Sequence, residues 1–234
     1  MDGWFFLPYV DQPGSRHHLR VRAHALSAKK AEGFSRRLRR ALGPALDRGD
    51  IVDIVTSSYF RESARYGGPQ LMPAVERIFQ AGSNLVLDIL TSESQGVLQD
   101  DRILVGVLAA DGLAQALGLD LPARLKLAGT CRRACESVGW LDEEQAKLAF
   151  RSSSKRLFFS LSGEAPALDG FRRELTSLGL PPALQPRMPA LLHIQAVRLF
   201  GPDPQAEALA YYLWQRALDS LVARRAAKNK GRPA

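Results

Sequence analysis

Arg20 and Arg22 lie two residues apart in the run His-His-Leu-Arg-Val-Arg, residues 17–22. On a β-strand that spacing puts both guanidinium forks on one face, with His18 and His24 beside them. Leu19, Val21 and Ala23 then share the opposite face. Two permanently charged, fork-shaped donors on one face suit a carboxylate or an oxyanion. A second set follows in Arg-Glu-Ser-Ala-Arg-Tyr-Gly-Gly, residues 61–68. There Glu62 and Arg65 are three apart and meet on a helical turn, with Tyr66 next in line. The third is His193 with Arg198, in Leu-Leu-His-Ile-Gln-Ala-Val-Arg-Leu-Phe-Gly. Histidine is the side chain that titrates near neutral pH and arginine stays protonated, which makes His193 a candidate for proton transfer and the arginines candidates for charge stabilisation. Each set alone also has a plain structural reading. These are a solvated strand face, a surface ion pair of small energetic weight, and a histidine satisfied within an apolar helix.

The elements that must position these residues follow from the hydrophobic pattern. Trp4 to Val10 is aromatic and branched and predicts a strand, with Pro8 marking an edge or bulge. Residues 11–15 form a turn by composition, and His17 to Ala25 returns as the second strand of a hairpin. Ser27 caps a helix to about Leu46, with Gly43-Pro44 a point of kinking or shortening. Ile51 to Phe60 predicts a third strand, and Gly67-Gly68-Pro69 a tight turn. Beyond Pro69 the period changes to helical. Helices are expected over Leu71–Leu90, Asp101–Leu117, Pro122–Val138, Asp142–Leu161, Leu168–Leu178, Leu184–Phe200 and Gln205–Ala226. The pattern describes an α+β fold, a small antiparallel sheet from the N-terminal third packed against a helical C-terminal region. It reads as one domain, strand-rich over 1–68, helical over 69–226 and ending in a basic tail over 227–234.

Composition limits the function classes. The chain has 234 residues, 46% hydrophobic and 24% charged, which is usual for a soluble globular protein. No apolar run approaches the ~20 residues a membrane span needs, and no secretory signal opens the chain, so a cytoplasmic protein is expected. Cys131 and Cys135 lack the surrounding ligands of a metal site and read as packing residues. There is no phosphate-binding glycine loop and no nucleophile elbow. The net charge of +8 is concentrated in the tail and in residues 27–48, where seven basic residues face Glu32 and Asp47. No aromatics interleave with those charges, so an exposed helix face is favoured over an RNA surface.

In this order the segments at 4–11, 18–22, 61–68 and 192–201 resemble the elimination domain of lantibiotic dehydratases, which also occurs as separate proteins in thiopeptide biosynthesis. The resemblance runs from Trp4 to about Leu221. It implies that a different, tRNA-dependent enzyme first glutamylates a Ser or Thr of a precursor peptide. This domain then expels glutamate, a carbon–oxygen lyase step that leaves dehydroalanine or dehydrobutyrine. It further implies Arg20, Arg22, Arg65 and His193 as catalytic residues. His18, Glu62, Tyr66 and Arg198 would bind substrate, and no cofactor or metal is called for. Expected partners are the precursor peptide and the glutamylating enzyme, with no membrane. Three departures stand out. Val197 replaces an Asn, Pro8 replaces a basic or polar residue, and the strand and helix that usually precede the first motif do not appear. The last departure implies a shortened sheet edge, a partner that supplies it, or a misassigned start. Two alternatives differ in chemistry. One is the [4+2] cycloaddition that forms the pyridine of thiopeptides. The other is a non-catalytic peptide- or RNA-binding partner of the glutamylating enzyme, in which direct tRNA contact would fall to the basic face.

Overall fold

A computed structural model of the chain describes residues 3–11, 17–96, 101–161 and 168–230. Strands β1 (Gly3–Val10) and β2 (His17–His24) pair antiparallel, with Phe6 opposite Val21 and Phe5 opposite Arg22. Eight helices follow: α1 (Ala28–Asp47), α2 (Met72–Ser94), α3 (Arg102–Ala116), α4 (Leu121–Ser137), α5 (Glu143–Leu161), α6 (Asp169–Ser177), α7 (Met188–Phe200) and α8 (Pro204–Lys230). A 3₁₀ turn over Pro182–Arg187 leads into α7. The expected α+β architecture is therefore present, with a two-stranded sheet. Most of the turn expected at 11–15, and residues 231–234 of the tail, lie outside the described residues.

Local chemistry accounts for the helix starts. The side chains of Ser27, Asp101 and Asp120 accept from the amides of Lys30, Leu104 and Ala123, at 3.3, 2.7 and 2.9 Å. Pro44 lies inside α1 without ending it, and α1 buries none of its residues. Nearly every side chain of α3 from Leu104 to Ala114 is buried, so this helix forms the centre of the helical region. Its one buried carboxylate, Asp111, accepts from Trp214 Nε1 of α8 at 2.9 Å and pairs with Arg124 of α4 at 2.6 Å. Both free cysteines are buried in α4. Burial pushes the Cys131 thiol up to about 12 and that of Cys135 to about 11, as expected of packing residues.

The third expected strand does not form. Residues 52–60 have no regular structure and no backbone–backbone hydrogen bond. The outer edge of β1 is occupied already, because the Trp4 and Phe6 amides donate to Gln80 Oε1 and Ser83 Oγ of α2. The segment is held to α1 instead. The Ile51 amide donates to the Ala45 carbonyl at 3.2 Å, and Arg39 Nη2 donates to the Ile54 carbonyl at 2.8 Å. Strand propensity alone does not make a strand; the pairing must also form, and here the segment is bonded to α1.

The hairpin is joined to the helices by Arg198 of α7. Its Nε donates to the Phe6 carbonyl at 2.8 Å, while Nη1 donates to Gln195 Oε1 at 3.2 Å. The guanidinium also lies 4.9 Å from the centre of the Phe79 ring. This side chain fits because α2 carries Gly82 opposite it. A Cβ there would run into the Gln195 amide and stand 3.1 Å from Arg198 Nη1. Gly82→Ala should therefore cost about 1–3 kcal/mol through overpacking, seen as a lower thermal midpoint by circular dichroism. Gly170→Ala, whose new methyl meets nothing within 4 Å, should leave the midpoint unchanged or slightly raised.

Candidate active site

The register of the hairpin sorts the candidate residues. Phe5, Arg22, Arg20 and His18 share one face, whereas Phe6, Pro8, Leu19 and Val21 share the other. On the first face Phe5 meets Phe79 edge-on at 5.2 Å and Tyr59 at 5.8 Å. The Arg22 guanidinium lies over the Tyr59 ring at 5.2 Å. Among the described residues no carboxylate pairs with Arg22. Arg61 holds Glu76 of α2 through two hydrogen bonds, both 2.7 Å. Burial first, and then the Glu76 carboxylate, raise the Tyr59 phenol to about 12 against the opposing pull of Arg61 and Arg22. Tyr59 is therefore a neutral hydrogen-bond donor over the whole physiological range.

Two successive turns carry the chain to Tyr66. The Arg65 amide donates to the Glu62 carbonyl, and the Gly68 amide to the Ser63 carbonyl at 2.8 Å. Glu62 and Arg65 pair at 3.4 Å, and the Arg65 guanidinium stands 5.8 Å from the Tyr66 ring. Tyr66 is buried with its ring edge-on to Phe79, and desolvation raises its phenol. Gly67, at φ 89°, permits this turn; a Cβ there would meet Leu71 Cδ1 at 2.9 Å and Arg187 Nε at 3.4 Å. The Phe5–Phe79–Tyr66 rings thus form one aromatic cluster, with Tyr59 against Phe5, on which Arg22 meets the Tyr59 ring and Arg65 the Tyr66 ring.

The other named residues occupy three further places. Arg20 stacks on Tyr9 at 3.5 Å, donates to Asp11 at 3.0 Å and reaches His18 Nε2 at 3.0 Å. Arg198 is 3% exposed, on the inner side of β1. Burial pulls its guanidinium down to about 9, which still leaves it protonated at neutral pH. His193, half-buried on α7, places Nδ1 3.0 Å from both carboxylate oxygens of Glu207 on α8. No hydrogen bond or ion pair among the described residues joins His193 to Arg20, Arg22 or Arg65.

Of Arg20, Arg22, Glu62, Arg65 and His193, expected to line one pocket, only Glu62 and Arg65 are in contact among the described residues. A cleft of about 490 Å³ lies instead on the apolar face of the hairpin. It is walled by Trp4, Phe6, Leu19 and Val21 with Leu87 and Leu90, and of the named residues it takes only Arg198. Sequence reasoning missed Tyr59, Glu76 and Glu207. Tyr59 had a visible signal, an aromatic ending a strand-like run just before Arg61. Glu207 had a weaker one, a lone carboxylate in the first turn of an apolar helix. Glu76 had none, since its partner is 15 positions away.

The family model described as lantibiotic biosynthesis dehydratase C-term matches residues 1–218. The chain belongs to this family. Among solved structures, the tRNA dependent lantibiotic dehydratase MibB from Microbispora sp. 107891 shares the fold. The match has a TM-score of 0.72 at 21% identity and covers 96% of this chain. The chain spans 25% of the length of that protein. No curated protein matches the sequence. Among the described residues no helix is long and apolar enough to cross a membrane.

The raised Tyr59 phenol carries a pH signature. The folded state holds this proton more tightly than the unfolded chain does. The resulting stability is therefore whole below pH 10 and is lost as pH rises towards 12. Thermal midpoints measured from pH 9 to 12 should fall less steeply in Tyr59→Phe than in the wild type.

Proposed function

We propose that this chain acts in the dehydration of a ribosomal precursor peptide of the lanthipeptide or thiopeptide kind, by eliminating glutamate from glutamylated Ser or Thr. Family membership supports the pathway. The observation that carries the chemistry is the cationic face of the hairpin. There Arg22 and Arg65 lie over the linked Tyr59 and Tyr66 rings with Arg61 next to Tyr59 in the chain, and Glu62 and Glu76 pair with Arg65 and Arg61 and leave Arg22 uncompensated among the described residues.

The reaction removes the α-proton, forms the Cα–Cβ double bond and breaks the Cβ–O bond. The electron pair leaves on the glutamate carboxylate. Negative charge develops first on the peptide carbonyl and then on the leaving group, and guanidinium donors fixed in place favour both. Arg22 is the group best suited to the developing enolate, with Arg20 beside it on the same strand face. Arg65, oriented by Glu62, suits the departing carboxylate, with the neutral Tyr59 and Tyr66 phenols as hydrogen-bond donors. His193 transfers the proton. With Nδ1–H given to Glu207, Nε2 is the free acceptor, and the carboxylate steadies the imidazolium that forms. His18 and Arg198 support the face, the first through Arg20 and the second by fixing β1. The glutamyl group comes from a separate tRNA-dependent enzyme.

The test is a purified chain given a synthetic peptide bearing one glutamylated serine, followed by mass spectrometry. Loss of one glutamate is expected, with release slowed about 10²–10³-fold in Arg22→Ala, the usual weight of one oxyanion donor. His193→Ala should be similarly slow, and Glu207→Gln intermediate. Wild-type release by His193→Ala would contradict the assignment. In parallel, a peptide carrying two dehydroalanines should pass unchanged; its cyclisation would move the reading to pyridine formation.

A further inference from the structure

The segment after α1 has the composition of a strand and none of a strand's bonding. Residues 51–60 read Ile-Val-Asp-Ile-Val-Thr-Ser-Ser-Tyr-Phe, rich in branched and aromatic side chains. Yet no backbone–backbone hydrogen bond involves residues 52–60. Its apolar side chains are turned to solvent, with Val52 72%, Val55 78% and Phe60 85% exposed. An unpaired stretch of this kind is a template for another chain. One side of it is taken, since Arg39 holds the Ile54 carbonyl and the Asp53 carboxylate holds the Ile54 amide at 2.7 Å. No hydrogen bond among the described residues uses the amides or carbonyls of Val55 and Ser57.

What fits this edge follows from its two neighbours. Alongside runs α1, whose Lys29, Lys30, Arg36, Arg37, Arg39 and Arg40 outnumber its Glu32 and Asp47 and whose residues are all unburied. At its far end Tyr59 packs on Phe5 beneath Arg22, and Arg61 follows at once. We propose that residues 52–58 are a docking edge for an acidic, extended part of the peptide substrate, which adds as a strand beside basic α1 and is led into the Arg22–Tyr59–Arg65 face. Strand addition supplies sequence-tolerant affinity through main-chain bonds, and the basic helix selects for acidic residues. The proposal rests on the reading that the substrate is a peptide.

Fluorescence anisotropy with the full chain tests it, using three labelled decapeptides. One alternates Glu and Val, one is the same peptide N-methylated at alternate amides, and one alternates Lys and Val. The Glu/Val peptide should bind, and the other two at least tenfold more weakly. The double variant Val55→Pro with Ser57→Pro should lose about tenfold in affinity with an unchanged circular dichroism spectrum. So should the exposed-face triple variant Arg36→Gln, Arg37→Gln, Arg40→Gln. Equal binding of the plain and N-methylated peptides overturns the edge. So does a concentration-dependent dimer that the two prolines abolish in place of peptide binding, since the occupant is then a second copy. An RNA oligonucleotide bound alike by wild type and proline variant, with no peptide bound, also overturns it. Binding is read without turnover, so the two readings fail separately. A chain that binds the Glu/Val peptide but releases no glutamate loses the elimination reading and keeps the edge.

Discussion

A single buried cation ties the two halves of this molecule together. Arg198 reaches from α7 past Gly82 to the carbonyl of Phe6, in the middle of β1. Its charge is desolvated with no carboxylate against it, and one terminal nitrogen has no partner. Burying an unpaired charge is expensive, and removing the group afterwards would leave the Phe6 carbonyl unsatisfied. The Phe79 ring and the Gln195 amide offset part of that cost. Together with Ser83 on the Phe6 amide, Arg198 fixes the strand that a two-stranded sheet could not fix alone.

The facing of the hairpin side chains depends on that fixation through register. With Phe6 pinned, Phe5 turns its ring the other way onto Phe79, and the partner residue Arg22 comes to stand over Tyr59. A slip of one residue would carry Arg20 and Arg22 to the apolar cleft and bring Leu19 and Val21 to the cationic face. Arg198 thus positions the strand face that carries Arg20 and Arg22 from the far side of the hairpin.

Much of this was legible in the chain itself. Period-two alternation marked the arginine face, and the Ser27 cap and the helix start at Asp101 are starts that the structure keeps. Ile51–Phe60 misled because its residues favour a strand while tertiary contacts deny it a partner. The same frustrated composition motivates its reading as a peptide edge. Pairings across elements were out of reach: Arg61 with Glu76, His193 with Glu207, and Arg198 with Phe6 all depend on how helices pack, which no local spacing encodes. Residue types announced that charge would be managed here, and only the packing says which charges meet.

Hydrogen–deuterium exchange with and without a glutamylated serine peptide probes the central claim, that the cationic hairpin face receives the glutamyl group. The account expects slowed exchange in β1, β2 and residues 57–66 when that peptide is bound, and less slowing with the unglutamylated peptide. Protection confined to the apolar cleft or to α4 and α5, with residues 57–66 unchanged, would contradict it.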